Sequence, residues 1–138
     1  MNANFGYEHE SVVSSINFHP RENILMTSGL DRKVKLFDVS HSQSVLQSEG
    51  TYNNMKTSSK SKKIQSVFLP DLPVYSANFI QDGKQAIFTG NRKHFYVYDL
   101  ARNKLEKNTI GTLDQKNLSL VTVSKSAGSD FMCIASPE

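Results

Sequence analysis

The chain repeats itself at an interval of 61 residues, and no other feature limits its fold so strongly. Adding 61 to the residue number carries Ser15-Ile16-Asn17-Phe18 onto Ser76-Ala77-Asn78-Phe79. Gly29 falls on Gly90, and Val34-Lys35-Leu36-Phe37-Asp38-Val39 falls on Phe95-Tyr96-Val97-Tyr98-Asp99-Leu100. Residue class and strand parity agree over about 25 positions without a gap. A fixed period of this kind marks one supersecondary unit used more than once, each copy needing a neighbour to cover its apolar face.

The unit is β. No stretch places apolar residues at helical spacing free of turn formers. Short β-rich runs recur instead, at Val12–Phe18, Ile24–Ser28, Val34–Val39, Ile64–Leu69, Val74–Ile80, Ala86–Thr89, His94–Leu100, Leu105–Ile110, Leu118–Val123 and Phe131–Ala135. Turn chemistry separates them: His19-Pro20-Arg21-Glu22-Asn23, Gly29-Leu30-Asp31, Gln81-Asp82-Gly83-Lys84 and Gly90-Asn91-Arg92. The expected product is an antiparallel meander.

Composition narrows the class. The 138 residues suit about one domain, and no apolar run reaches the ~18 residues of a membrane span. Met1–Glu10 has neither the basic nor the apolar region of a secretory signal. The single cysteine, Cys133, sits in an apolar run and is expected to be a reduced core thiol, which fits an intracellular compartment. A net charge of +3 does not announce nucleic-acid binding. Its distribution is more informative, because Lys56–Lys63 holds four lysines and no acid. The tract is expected to be a solvated loop that could also meet phosphate.

The unit resembles a WD repeat. In that family a Gly-His pair precedes the first strand, the second strand ends in Ser-Gly, an Asp turn follows, and the third strand ends in Trp-Asp. Here His9 lies nine residues before Phe18, with Glu8 in place of the Gly. Val13, Ile16 and Phe18 fill the apolar slots, Ser28-Gly29 and Asp31 sit at the turn, and Phe37-Asp38 closes the third strand. The resemblance implies an all-β fold, a partial WD-repeat β-propeller of about two and a half four-stranded antiparallel blades. It implies a blade-locking hydrogen-bond network of His9, Ser28 (or Thr27) and Asp31. Phe37 stands where Trp would, so the indole donor is missing. The second repeat has Pro70 and Arg92 at the positions of His9 and Asp31, so it is expected to cohere by packing alone.

Residues 1–11 form a lead-in and residues 12–138 the partial propeller, with His41–Ser61 as a polar insertion that accounts for the excess over a ~40–45-residue blade. A third unit begins at Leu118 and stops after two strands. Propeller sheets are covered by their neighbours, so the remaining blades are expected in sequence beyond this chain or in a partner.

A narrower resemblance follows from Lys63-Ile64-Gln65-Ser66-Val67-Phe68-Leu69, Asp71, Pro73 and Ala77-Asn78-Phe79, then Asp82-Gly83, Arg92-Lys93 and Tyr96-Val97-Tyr98-Asp99-Leu100. This combination is similar to the U3 small nucleolar RNA-associated protein 18 family, over roughly Val12 to Ala135. The long His41–Ser61 tract departs from that family's short connection. The resemblance implies a scaffold subunit of the small-subunit processome, acting in the nucleolus in small-subunit ribosomal RNA processing. Its partners would be other WD-repeat subunits and the U3 ribonucleoprotein, with pre-ribosomal RNA nearby. The alternative is a generic WD adaptor, such as a ubiquitin-ligase receptor or a coat scaffold.

Site chemistry points away from catalysis. The four histidines, His9, His19, His41 and His94, are scattered and lack metal-ligand spacing. Asp31 and Asp38 belong to a turn and a strand end, and there is no P-loop or nucleophile elbow. No cofactor, metal, membrane or small-molecule substrate is expected. The candidates for contact with RNA or a partner are Lys60, Lys62, Lys63, Arg92 and Lys93, and Ser58-Ser59-Lys60-Ser61 is a candidate phosphorylation or docking loop.

Overall fold

The computed structural model describes residues 9–40 and 62–109 in full, and 120–126 and 129–135 as backbone. The His41–Ser61 insertion, its Ser-rich stretch, Lys60, the lead-in before His9 and the Cys133 side chain lie outside the described residues. Among the described residues ten strands follow one another: β1 (Val13–Phe18), β2 (Ile24–Gly29), β3 (Lys33–Asp38), β4 (Lys62–Phe68), β5 (Ser76–Ile80), β6 (Gln85–Thr89), β7 (His94–Asp99), β8 (Lys104–Thr109), β9 (Leu120–Ser126) and β10 (Ser129–Ala135). They form two four-stranded antiparallel sheets, β1-β2-β3-β4 and β5-β6-β7-β8, and a hairpin, β9-β10. The fold is all-β, two complete blades and the start of a third.

The 61-residue register is physical. Asn23 O accepts the amide of Val39, and 61 residues later Lys84 O accepts the amide of Leu100. The first strands of successive units also meet: β5 touches β1 on one side and β9 on the other. This is how inner strands stand around a propeller axis.

The core lies between the blades. Met26, Val34 and Leu36 of the first sheet pack on Ala77, Phe79, Ala86, Phe88, Tyr96 and Tyr98 of the second. Leu69, Leu72 and Val74, in the connection between the sheets, are fully buried and fill the gap. Each large apolar side chain removed from water here contributes roughly 1.5–3 kcal/mol. Strand alternation then assigns the faces. Ala77 and Phe79 point to the first blade and are 1% exposed, whereas Ile16 and Phe18, their counterparts one period earlier, are 61% and 65% exposed.

Polar contacts at the inner strands reinforce the packing. A one-residue register shift places Ser14 outside the regular pairing of β1 with β2. Its hydroxyl reaches the Val74 carbonyl. Ser15 Oγ (3.2 Å) and Asn17 Nδ2 both donate to the Ala77 carbonyl. Asn17 also donates to Ser15 at 3.2 Å, and Asn78 donates to Ser76 at 3.1 Å in the same way.

The tight turn at Gln81–Gly83 has Gln81, Asp82 and Gly83 all at positive φ. The Gly83 carbonyl accepts from His19 Nε2 at 3.0 Å, while His19 Nδ1 accepts from the amides of Arg21 and Glu22. A Cβ on Gly83 would lie 2.0 Å from His19 Nε2, so only glycine allows this approach.

Candidate functional site

The first polar cluster is built where β2 ends and turns into β3. His9 Nδ1 lies 2.9 Å from Asp31 Oδ2, and His9 Nε2 lies 3.0 Å from Thr27 Oγ1. In the neutral ring Nδ1 carries the proton to the carboxylate and Nε2 accepts the threonine hydroxyl. The amides of Glu10 and Lys33 each donate to Asp31 at 3.2 Å. Burial raises the Asp31 pKa, but the His9 and backbone hydrogen bonds outweigh it and hold the group below its ordinary 3.8. Gly29 leaves room for the pair, since a Cβ there would stand 2.9 Å from Asp31 Oδ1 and 3.0 Å from His9 Nδ1.

Ser28 is not the third member. Its hydroxyl is buried without a hydrogen bond among the described residues, and Thr27 takes the position. Neighbouring strand residues point to opposite faces, so only one of the two can reach the imidazole. Phe37 is fully buried.

The second blade does not cohere by packing alone. Asp71, in the connection before β5, accepts from the Tyr96 hydroxyl at 2.5 Å and pairs with the Lys107 ammonium. His94 Nε2 stands 3.3 Å from the same carboxylate. The period accounts for part of this. Glu10 pairs with Lys33 at 2.6 Å in the first blade, and adding 61 to each gives Asp71 and His94. The second blade thus lacks the His-Asp-Thr cluster but keeps the acid–base pair beside it, extended by Tyr96 and Lys107.

These contacts shift titrations. Lys107 and then Tyr96 hold the Asp71 carboxyl well below the usual carboxylate range. Burial first, then the hydrogen bond to Asp71, pushes the Tyr96 phenol up to about 12. Burial also raises Tyr98, whose hydroxyl donates to Asn103 Oδ1 at 2.5 Å. A raised phenol pKa lends stability that is complete below the ordinary value of 10 and disappears as pH rises toward 12. In an alkaline titration followed by tyrosinate absorbance, Tyr96 should therefore ionise well after an ordinary tyrosine. Asp71→Asn should bring the Tyr96 transition back toward 10, and an unmoved transition would show that Asp71 does not govern it.

The candidate contact cations do not form one patch. Lys62 and Lys63 open β4, opposite Asp38 and Phe37. Arg92 and Lys93 precede β7, at the other end of the blades. There Arg92 meets a cation that the sequence reading passed over, Arg32. Arg32, Asp71, Pro73, Arg92 and His94 line a cavity of about 460 Å³. A second cavity, of about 490 Å³, opens between the blades at the opposite end, where Arg21 pairs with Asp82 at 2.7 Å beside His19, Leu36, Lys84 and Leu100. Asp31 and Asp38 do not form a carboxylate pair. Asp38 sits across from Ile24 at the far end of β3, and it accepts the Ser40 amide at 2.8 Å. No helix of the described residues is long and apolar enough to cross a membrane.

Residues 4–38 match the family model described as "WD domain, G-beta repeat". Similar curated proteins carry one name. The U3 small nucleolar RNA-associated protein 18 homolog of Arabidopsis thaliana is 34% identical over 128 residues, 91% of this chain and 20% of the relative. The homolog of Homo sapiens is 35% identical over 94 residues, 67% of this chain and 14% of the relative. U3 small nucleolar RNA-associated protein 18 of Saccharomyces cerevisiae is 23% identical over 118 residues, 82% of this chain and 17% of the relative. The chain spans a fifth or less of the length of these relatives.

Proposed function

We propose, on the premise that this chain belongs to the U3 small nucleolar RNA-associated protein 18 family, that it works as a scaffold segment of the small-subunit processome. In this reading it is not an enzyme. It contributes propeller blades to a nucleolar assembly with other WD-repeat subunits and the U3 ribonucleoprotein, and through them serves small-subunit ribosomal RNA processing. One observation carries the reading: 34% identity along 91% of the chain to a relative named for association with U3 RNA. The physical form of the chain is compatible with it. Two blades pack on each other, Ile16 and Phe18 are left on an open sheet face, and exposed apolar faces of this kind mark association surfaces.

The test is affinity purification of the tagged full chain from cells. U3 RNA and WD-repeat processome subunits should be enriched over an unrelated propeller of similar charge. Recovery with ubiquitin-ligase or coat subunits and no U3 RNA would replace this reading with that of a generic adaptor.

A further inference from the structure

The cavity lined by Arg32, Asp71, Pro73, Arg92 and His94 joins the β2–β3 turn of one blade to the β6–β7 turn of the next. Arg32 adopts a positive φ of 61°, a conformation uncommon for a side chain of its size. Two contacts hold it there. One guanidinium nitrogen donates to the Pro70 carbonyl at 2.8 Å, and the group stands 5.5 Å from the centre of the Phe68 ring. The rest of the fork keeps donors to offer. Across the cavity, the exposed Arg92 side chain makes no hydrogen bond or ion pair among the described residues. The only acid in the wall is Asp71, which already faces Lys107, Tyr96 and His94. With Asp71 already paired to Lys107, Arg32 and Arg92 leave the wall cationic. Tyr75, two residues beyond Pro73, is 54% exposed.

We propose that this cavity is a phosphate subsite for single-stranded RNA. One phosphodiester sits between the Arg32 and Arg92 forks, and Tyr75 offers a face on which a base can stack. Paired guanidinium groups match the geometry of phosphate oxygens, which a lysine patch does not. Cations interleaved with an exposed aromatic suit a polymer that carries both charge and π-faces, as single strands do. An acidic peptide would use the cations and leave the aromatic idle. The period supports a built feature, because Lys93 repeats the Arg32 position one blade later, so each blade sets a cation at this turn for its own interblade gap. The proposal rests on the processome reading for the presence of RNA, but the site itself is tested apart from it.

The experiment measures binding of the full chain to a fluorescein-labelled oligouridylate of about twelve nucleotides by anisotropy, across a salt series. Arg32→Ala with Arg92→Ala should weaken binding by about tenfold or more, and should lower the slope of log affinity against log salt by about 1.4, the value for two lost single-strand phosphate contacts. Arg32→Lys with Arg92→Lys should recover most of the slope but not the affinity. Lys84→Ala, beside the cavity at the opposite end of the blades, should leave both unchanged. Circular dichroism checks that each variant folds. If the double alanine variant does not, Arg92→Glu alone decides, since that side chain is exposed and has no side-chain partner among the described residues. Unchanged affinity in the arginine variants, no binding by the unaltered chain, or equal competition by polyglutamate would each overturn the subsite. U3 RNA in the affinity purification alongside any of those results would leave the processome reading standing without it.

Discussion

Phe79→Ala should unfold the chain under conditions in which Phe18→Ala leaves it folded. The two phenylalanines hold the same repeat position, 61 residues apart, and differ only in what covers them. Phe79 is 1% exposed, packs in the interblade core and meets the His19 ring edge-on at 4.9 Å. Emptying such a site costs about 3–5 kcal/mol in lost burial and residual cavity. Whole domains are stable by only about 5–15 kcal/mol, so that loss removes a large share of the margin. Phe18 is 65% exposed, and truncating it opens no cavity. Its effect should be within about 1 kcal/mol. Phe18→Ala should also reduce self-association, because Ile16 and Phe18 offer the face that Ala77 and Phe79 bury one blade later. Urea unfolding followed by circular dichroism reads the first effect, and sedimentation velocity reads the second. Equal losses from the two variants would mean that the blades do not pack as successive units.

His9→Ala should cost nearly as much, by a different route. The His9 and Asp31 side chains are 1% and 4% exposed. Removing His9 leaves the buried Asp31 carboxylate with only the Glu10 and Lys33 amides, at a cost of about 3 kcal/mol. Asp31→Asn in the His9→Ala background removes the stranded charge, so the double variant should be more stable than the sum of the single losses allows. The pH dependence follows from the sign of the shift. Asp31 is held below its ordinary 3.8 in the folded chain. The stability it lends is therefore complete above that value and is lost as pH falls through the folded value. Asp71 is shifted in the same direction and adds to the same acid limb. The His9→Ala chain should show a shallower loss of stability below pH 4 than the unaltered chain. Additive single losses, or an unchanged acid limb, would show that His9 and Asp31 act independently.

Much of this architecture was legible before any coordinates. Strand positions followed from β-branched and aromatic runs punctuated by glycine and aspartate turns, and all ten proposed runs coincide with strands to within a few residues. The period tied the two blades together because equal positions face equal surroundings. The errors have physical causes. Ser28 and Thr27 are adjacent, so a one-residue uncertainty in phase reverses the face, and the hydroxyl that reaches His9 is the threonine's. The Asp71 cluster joins residues 25 and 36 positions apart in the chain. Strand patterning does not report contacts between a connection and the far ends of two strands. The period did hold a trace of the cluster, since Glu10 and Lys33 map onto Asp71 and His94. Charge alone groups Lys62, Lys63, Arg92 and Lys93, but strand direction divides them. Lys62 and Lys63 begin an outer strand at one end of the blades, while Arg92 and Lys93 close a turn at the other. Arg32 carries no local signal of its own, because the cavity it shares with Arg92 joins positions 60 apart in the chain.

Ser15 and Asn17 hold the following blade through the carbonyl oxygen of Ala77 and not through its side chain. A main-chain acceptor looks alike whatever residue bears it. Docking of this kind recognises a position on the neighbour and is indifferent to identity there. Residue 77 can therefore drift without loosening the joint, provided that the replacement still fits beside Phe79. Units that share the Ser-x-Asn signature become interchangeable modules, and a lineage could diverge, duplicate or reorder them while every seam stays closed.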